Sequence, residues 1–141
     1  MYNRPGISQY QRVDVESRVA VGNPHTMISM LLDGALKRIA IAHGATKRGD
    51  IATKGNTLSA AIRILDSLRA ALDHKRGGQI ADNLEALYSY MEKRLMEANR
   101  NSDTDILDEV SMLLGDIKEA WDSMPVQYRQ QEPGQQEYRG N

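Results

Sequence analysis

Apolar residues recur at steps of three and four along separate stretches of the chain, and this spacing predicts amphipathic helices. The first helix is expected to begin at Asn23-Pro24, because Asn is a good N-cap and Pro is favoured at the first helical position. It should run to about His43 or Lys47. Gly49-Asp50 then combines a helix stop with a cap residue, so a second helix is predicted from about Ile51 to Asp73. The apolar positions are Ile28, Leu31, Leu32, Ala35, Leu36, Ile39 and Ala42 in the first helix and Leu58, Ala61, Ile62, Leu65, Leu68 and Leu72 in the second.

The second half of the chain repeats this pattern after a loop expected at residues 74–78. A third helix is predicted from about Gln79 to Asn99. A fourth is predicted from about Asp103 to Met124, after a capping box made by Ser102 and Asp105. The inward positions are Ile80, Leu84, Leu87, Met91, Leu95 and Ala98 in the third helix and, at heptad spacing, Ile106, Val110, Leu113, Ile117, Ala120 and Met124 in the fourth.

Four helices of about 20 residues with short connections predict an all-α, antiparallel up-down-up-down four-helix bundle. Residues 1–22 have mixed composition and are interpreted as an N-terminal arm or short cap helix belonging to the same unit, residues 1–124. Residues 125–141 begin with a proline and are rich in Gln, Glu, Pro and Gly. Such a segment has little to bury and is expected to be a disordered tail.

Composition narrows the classes of function. The chain has 141 residues, 40% hydrophobic and 26% charged, which suits one folded domain. It has no cysteine, which excludes disulfides, thiol nucleophiles and Cys-ligated zinc and suits a reducing cytoplasm. A net charge of −1 does not fit a nucleic-acid binder. No secretory signal and no apolar run of about 18 residues is visible, so we expect a cytoplasmic protein without membrane insertion.

The three histidines lack the spacing of a metal site or a catalytic centre. Neither His-Glu-x-x-His nor Glu-x-x-His occurs, so neither a metal nor a cofactor is expected. Phosphotransfer domains are also four-helix bundles, with Lys three and Gly four residues after the reactive His. After His43, Lys47 comes at the fourth position and Gly49 at the sixth, which disfavours this alternative. Nothing supports acid–base catalysis, and the chain is not expected to be an enzyme.

Four residues within the helices are candidates for contact with a partner protein. Gly34 lies in the middle of the first helix, where Gly costs about 1 kcal/mol relative to Ala, so a neighbouring helix, the arm or a partner is expected to approach it closely. Tyr88 and Tyr90 flank the apolar stripe of the third helix, and the apolar ring and polar tip of Tyr suit a half-exposed groove. Met91 lies beside them and adapts to irregular surfaces, although packing in the core is the favoured alternative for it.

Several sequence blocks, in a fixed order, resemble the FliS family of flagellin-specific export chaperones over about residues 1–124. The blocks are residues 7–10, Asn23-Pro24-His25, residues 30–35, residues 77–84, residues 87–91, Arg94-Leu95, Ala98-Asn99, residues 107–110, Leu113-Leu114 and Ala120-Trp121. Leu32 departs from the pattern, since family members often carry an aromatic residue there. The Gln-rich tail lies outside the shared pattern.

The resemblance implies a chaperone that binds the disordered C-terminal segment of flagellin, blocks premature polymerisation and hands flagellin to the export apparatus. It leaves open whether other flagellar regulators bind, and a generic helical adaptor is the other alternative. Ile7 and Tyr10 lie in the arm, three residues apart, and would share one face of a helical turn. We expect them to dock into an apolar groove of the bundle, either as part of the flagellin site or as its occupant when flagellin is absent.

The composition of the tail yields a first prediction. Removing residues 125–141 should change thermal stability little, because this segment has no apolar stripe to bury. The melting temperature of the shortened chain, measured by circular dichroism, tests this. A decrease of more than about 5 °C, on the order of 1 kcal/mol for a domain of this size, would mean that the tail packs on the bundle.

Overall fold

The computed structural model describes residues 23–129, and this part of the chain is entirely helical apart from its connections. The arm, residues 1–22, and tail residues 130–141 lie outside the described residues. The helices are α1 (Pro24–Arg48), α2 (Ile51–Ala70), α3 (His74–Asn101), α4 (Thr104–Asp122) and a single turn, α5 (Val126–Arg129). The segment expected to be an irregular tail therefore begins with a helical turn, which Pro125 can initiate because its fixed φ suits a helix start.

The first two helix boundaries form as their sequence signals predict. The Asn23 side chain accepts a hydrogen bond from the backbone N–H of Thr26 at 3.2 Å, and Pro24 is the first helical residue. Gly49 ends α1 in the left-handed conformation, with φ of 74°. Asp50 then caps α2 by accepting from the N–H of Thr53 at 3.1 Å.

The later boundaries differ from the sequence-based prediction. Asp73 caps α3 by accepting from the N–H groups of Lys75 and Arg76, so α2 ends earlier than expected and residues 74–77 form a helical turn rather than a loop. Gly78 interrupts the helix after this turn, with φ of 50° and ψ of −124°.

The predicted capping box before the fourth helix is also wrong. Ser102 lies in the left-handed region, with φ of 50°, and ends α3. Asp103, which is at least as good an N-cap as Ser, caps α4 by accepting from the N–H of Asp105 at 2.9 Å. The Ser102 hydroxyl instead accepts from Lys54 Nζ at 2.7 Å, because the beginning of α2 lies beside the end of α3.

The helices form the predicted antiparallel up-down-up-down bundle. Each helix packs on the next along the chain, and α1 also packs on α4, which closes the ring of four. Their directions follow from the contacts between their ends. Lys54 near the beginning of α2 donates to the Asn99 carbonyl near the end of α3, and His25 at the beginning of α1 meets Trp121 at the end of α4.

The core is aliphatic, with one Tyr and one Met, and takes residues from all four long helices. Its buried members are Leu32, Ala35, Ile39, Ala42, Leu58, Ala61, Leu65, Leu68, Tyr88, Met91, Leu95, Ala98, Ile106, Leu107, Val110 and Leu114. The predicted stripes of α1 and α2 are confirmed as core or core boundary.

The stripes of the other two helices need correction. Ile80 was expected to face inward but is 70% exposed, because it lies only two residues after the interruption at Gly78. Ala120 is exposed, and Ile117 is only partly buried. On α4, Ile106 and Val110 of the predicted stripe are buried as expected, but Leu107 and Leu114 are buried as well, so the buried seam turns toward Leu114 and leaves Leu113 and Ile117 at the core boundary.

This seam makes a prediction about stability. Leu114→Ala should destabilise the bundle by about 2–5 kcal/mol, because it removes a fully buried side chain and leaves a cavity. Met112→Ala, on the same helix but 61% exposed, is the matched control and should change stability by less than about 0.5 kcal/mol. Urea unfolding measures both, and equal losses would contradict the observed seam.

Candidate functional site: an apolar cavity at one end of the bundle

A cavity of about 450 Å³ lies at the end of the bundle where α1 and α3 begin and α2 and α4 end. Its size falls within the range of ligand-binding pockets. The walls are mainly apolar, and every long helix contributes to them. Representative lining residues are Met27, Ile28, Leu72, Ile80, Leu84 and Ile117. Several of these are exposed or half-buried, so they offer apolar surface that the bundle itself does not cover.

One wall of the cavity is held by a reciprocal contact between α1 and α4. Trp121 Nε1 donates to the His25 carbonyl at 2.8 Å, and His25 Nε2 lies 2.8 Å from the Trp121 carbonyl, to which it donates in the Nε2-protonated tautomer. The two rings stack with centroids 4.8 Å apart. The two hydrogen bonds hold the aromatic pair at the cavity wall. They also satisfy one ring nitrogen and the backbone carbonyl of each residue, which would be costly to bury without partners.

A second set of polar contacts ties the same two helices at the surface. Asp122 accepts from the Ser29 hydroxyl of α1 at 2.7 Å and from Lys118 one turn earlier on α4. The hydrogen bonds from Lys118 and Ser29 hold the pKa of Asp122 below its usual value. A carboxylate therefore reinforces the junction at which the cavity wall forms.

Tyr88 lies at the inner wall of the cavity and is almost fully buried. Burial raises the pKa of its phenol to about 12, so the side chain stays neutral under physiological conditions. An uncharged ring at this position is compatible with apolar ligands and offers no reactive anion.

The first turn of α3 forms the opposite edge of the cavity, through Arg76 and Gly77. A Cβ atom on Gly77 would lie 2.8 Å from the Cβ of Ala81, so this close approach requires glycine. Gly78 has a positive φ that L-residues rarely adopt. The two glycines thus bring the turn against the body of α3.

The residues predicted to bind a partner do not meet at one place. Tyr88 lines the cavity, whereas Met91 is fully buried in the core and cannot touch a partner while the bundle is closed. Gly34 faces α2, where an added Cβ would be in ordinary contact, 3.5 Å from Ile64 Cδ1, so space alone does not require glycine there. Ile7 and Tyr10 lie outside the described residues.

Tyr90 is 43% exposed and belongs to a different surface, between α3 and α4. Its hydroxyl donates to Glu109 Oε2 at 2.6 Å, and Arg94 Nε donates to the other oxygen of the same carboxylate at 2.9 Å. These two hydrogen bonds lower the pKa of Glu109, and the bond to Glu109 raises the pKa of the Tyr90 phenol. Tyr90 is thus part of a polar network.

Sequence reasoning missed most of the cavity-lining residues. His25 and Trp121 are 96 positions apart, and no local pattern pairs them. Met27 and Ile80 carried a partial sequence signal, since each is a large apolar residue near a helix start. That the bundle leaves both side chains exposed is known only from the structure.

Two other kinds of feature, a metal site and a membrane span, are absent from the described residues. Between residues 23 and 129 no group of three or more His, Cys, Asp or Glu side chains is arranged to hold a metal ion. No helix in this range is both long and apolar enough to cross a membrane. His43, the residue weighed as a phosphoryl carrier, has Nε2 3.1 Å from Asp108 Oδ1 at the opposite end of α1 from the cavity.

An antiparallel helical bundle with an apolar cavity at one end defines a class of protein suited to binding helical segments of other proteins. Comparison with known proteins specifies the family. The family model described as "Flagellar protein FliS" matches residues 6–128, and this chain belongs to the FliS family.

Named relatives agree with this assignment. The chain is 48% identical to the flagellar secretion chaperone FliSB of Pseudomonas aeruginosa over 124 residues, 88% of this chain and 98% of that protein. It is 46% identical to the flagellar secretion chaperone FliS of Salmonella typhimurium over 122 residues, 86% of this chain and 90% of that protein. A more distant relative, FliS of Bacillus subtilis, is 32% identical over 106 residues, 75% of this chain and 78% of that protein. The resemblance drawn from the sequence is thereby confirmed, and the family is one of chaperones rather than enzymes.

Proposed function

We propose that this chaperone acts in the cytoplasm by binding the disordered C-terminal segment of flagellin, and that the end cavity anchors that segment. Binding prevents premature polymerisation, and the complex then delivers flagellin to the export apparatus. The observation that carries the proposal is the apolar cavity of about 450 Å³ between the ends of all four long helices. Family membership supports the flagellar role.

The chemistry of the cavity favours an amphipathic helix as the ligand. Such a helix presents large apolar side chains at positions i, i+3 or i+4 and i+7, which insert into an apolar groove. The cavity interior offers Leu72, Leu84 and Ile117 for these contacts, with the Trp121 ring as a flat wall. Charged groups such as Asp73 and Arg76 lie at the edge and leave the interior apolar.

A disordered ligand suits a chaperone that must later release its cargo. Ordering such a segment costs roughly 2–5 kcal/mol of the gross binding energy, so a large apolar contact need not give an irreversible complex. The four-helix core supports the cavity independently of the ligand, since its residues pack on one another without it.

The arm is connected to the chain beside the same site. Pro24, two residues after the arm ends, lines the cavity. Tyr10 lies thirteen positions before Asn23, and a chain of that length spans roughly 40 Å when extended, which is enough for Ile7 and Tyr10 to reach the cavity.

A variant that fills the cavity tests its role. Ala71 is exposed and lines the cavity, so Ala71→Phe should obstruct it without disturbing the core. We expect this variant to bind a peptide of the flagellin C-terminal segment at least about tenfold more weakly, a loss of roughly 1.4 kcal/mol, measured by isothermal titration calorimetry.

The matched control is Ala70→Phe, one residue earlier on α2, exposed and not part of the cavity wall. Its affinity should equal that of the unaltered chain. Equal affinities for both variants would place the flagellin site elsewhere, and no binding to the unaltered chain would refute the proposed function.

The contribution of the arm is tested separately. The double substitution Ile7→Ala with Tyr10→Ala should weaken binding of the same peptide, because an aromatic anchor in a groove is commonly worth 2 kcal/mol or more. Stronger binding would instead indicate that the arm competes with flagellin, and unchanged affinity would exclude both roles. Circular dichroism confirms that the bundle of the variant remains folded.

A further inference from the structure

The first turn of α3, residues 74–77, is a semi-independent piece of the cavity edge. The Asp73 side chain caps it by accepting from the N–H groups of Lys75 and Arg76, both at 3.1 Å. The Gly77 N–H donates to the Asp73 carbonyl at 2.8 Å. These bonds are local to the turn and to the residue before it.

A hinge separates this turn from the body of the helix. Gly78, with φ of 50° and ψ of −124°, departs from helical geometry between two helical stretches. Glycine moves between such conformations at little steric cost because it has no Cβ. Because the turn is also tied to α2 through residues 71–73, it opens by unwinding at Gly78, which would move Arg76 and Gly77 away from the cavity that they border.

His74 attaches the turn to the body of α3 across the hinge. Its Nδ1 lies 2.8 Å from Asp82 Oδ1, and its Nε2 lies 2.8 Å from Glu85 Oε1. Ionised carboxylates only accept hydrogen bonds, so both ring nitrogens must donate, which requires the doubly protonated imidazolium. The latch is therefore complete only when His74 carries a positive charge.

We propose that residues 74–77 form a hinged flap at the cavity edge, that the His74 imidazolium latches it to Asp82 and Glu85, and that flap opening limits the rate at which a partner helix enters. The first two parts concern the free chain, and the third rests on the proposed function. Entry of a partner helix through a movable edge explains why α3 carries two adjacent glycines there. Gly77 is required by its close approach to Ala81, and Gly78 by its positive φ.

The charges around the latch favour the protonated histidine. On α3 the carboxylates of Asp82 and Glu85 face it directly. On α2 the Arg69 guanidinium is 3.8 Å from Glu85 but also pairs with Asp66 and Glu92, so it offsets only part of the local negative charge. Within the turn, Arg76 pairs with Asp73, and Lys75 adds one further positive charge.

The direction of the pH dependence follows from this environment. The hydrogen bond to Asp82, together with the nearby charge of Glu85, raises the pKa of His74 above its ordinary value of 6.5. When the flap opens, the imidazole loses these partners and its pKa returns toward that value. The latch therefore has its full strength below about pH 6.5 and weakens as the pH rises through the raised pKa.

Amide hydrogen exchange on the free, full-length chain tests the flap. His74→Gln keeps a polar side chain but cannot carry the charge that both carboxylates require. Unwinding of the turn breaks the hydrogen bonds of the Lys75, Arg76 and Gly77 amides to Asp73, so we expect the protection factors of these amides to fall at least about fivefold, with core amides of α2 and α4 unchanged. In the unaltered chain the same protection factors should decrease from pH 6 to pH 8, after correction for intrinsic exchange, and in His74→Gln they should not.

His43→Gln is the matched control, since it removes another histidine–carboxylate pair at the opposite end of α1. It should leave the protection of residues 75–77 unchanged. Equal protection in the unaltered chain and His74→Gln at both pH values would overturn the latch.

Rapid-mixing kinetics with the flagellin C-terminal peptide test the gating part. The chain has a single Trp, and Trp121 lies in the cavity wall, so its emission reports entry. His74→Gln should accelerate association at least about threefold, and His43→Gln should not. If His74→Gln accelerates amide exchange in residues 75–77 but leaves the rate of peptide association unchanged, the gating part of the proposal is wrong. Absence of any binding to the unaltered chain would instead refute the proposed function, while the exchange result would still decide the flap.

Discussion

No loop joins the first and last helices of the bundle, so their alignment depends on contacts between side chains. The stacked pair of His25 and Trp121 supplies the most specific of these contacts, because each residue donates to the backbone carbonyl of the other. Directional hydrogen bonds of this kind set a register that aliphatic packing alone does not specify. The ring of four helices closes through this α1–α4 junction, and the cavity wall forms at the same place.

The two ends of the bundle are finished differently. At one end, Lys54 is buried and donates to the Asn99 carbonyl and the Ser102 hydroxyl, which covers the end of α3 with a local polar contact. At the other end, the cavity is lined by apolar side chains such as Met27 and Ile80, which the residues between 23 and 129 leave exposed. Apolar surface left accessible in this way commonly marks an interaction site.

The candidate site was only partly accessible to sequence reasoning. Tyr88 was identified because a tyrosine beside an apolar stripe suggests a half-exposed position; it lines the cavity, but the half-exposed position was wrong, since Tyr88 is almost fully buried. Met91 and Tyr90 are close to Tyr88 along the chain, but Met91 lies in the core and Tyr90 lies on another face of α3. The reason is that adjacent helical residues point in directions about 100° apart. Trp121 could not be assigned to the site, since its neighbour His25 comes from the other end of the described chain.

The sequence by itself determined the four long helices, their antiparallel topology and the caps at Asn23 and Asp50. These features rest on local signals: the spacing of apolar residues, cap residues and short connections. Only the tertiary structure decided which seam of α4 is buried and where the cavity lies. It also decided that α3 begins at His74, capped by Asp73, where the sequence predicted a loop. Each of these depends on side chains from distant helices competing for the same space, and the periodicity of a single helix carries no information about its neighbours.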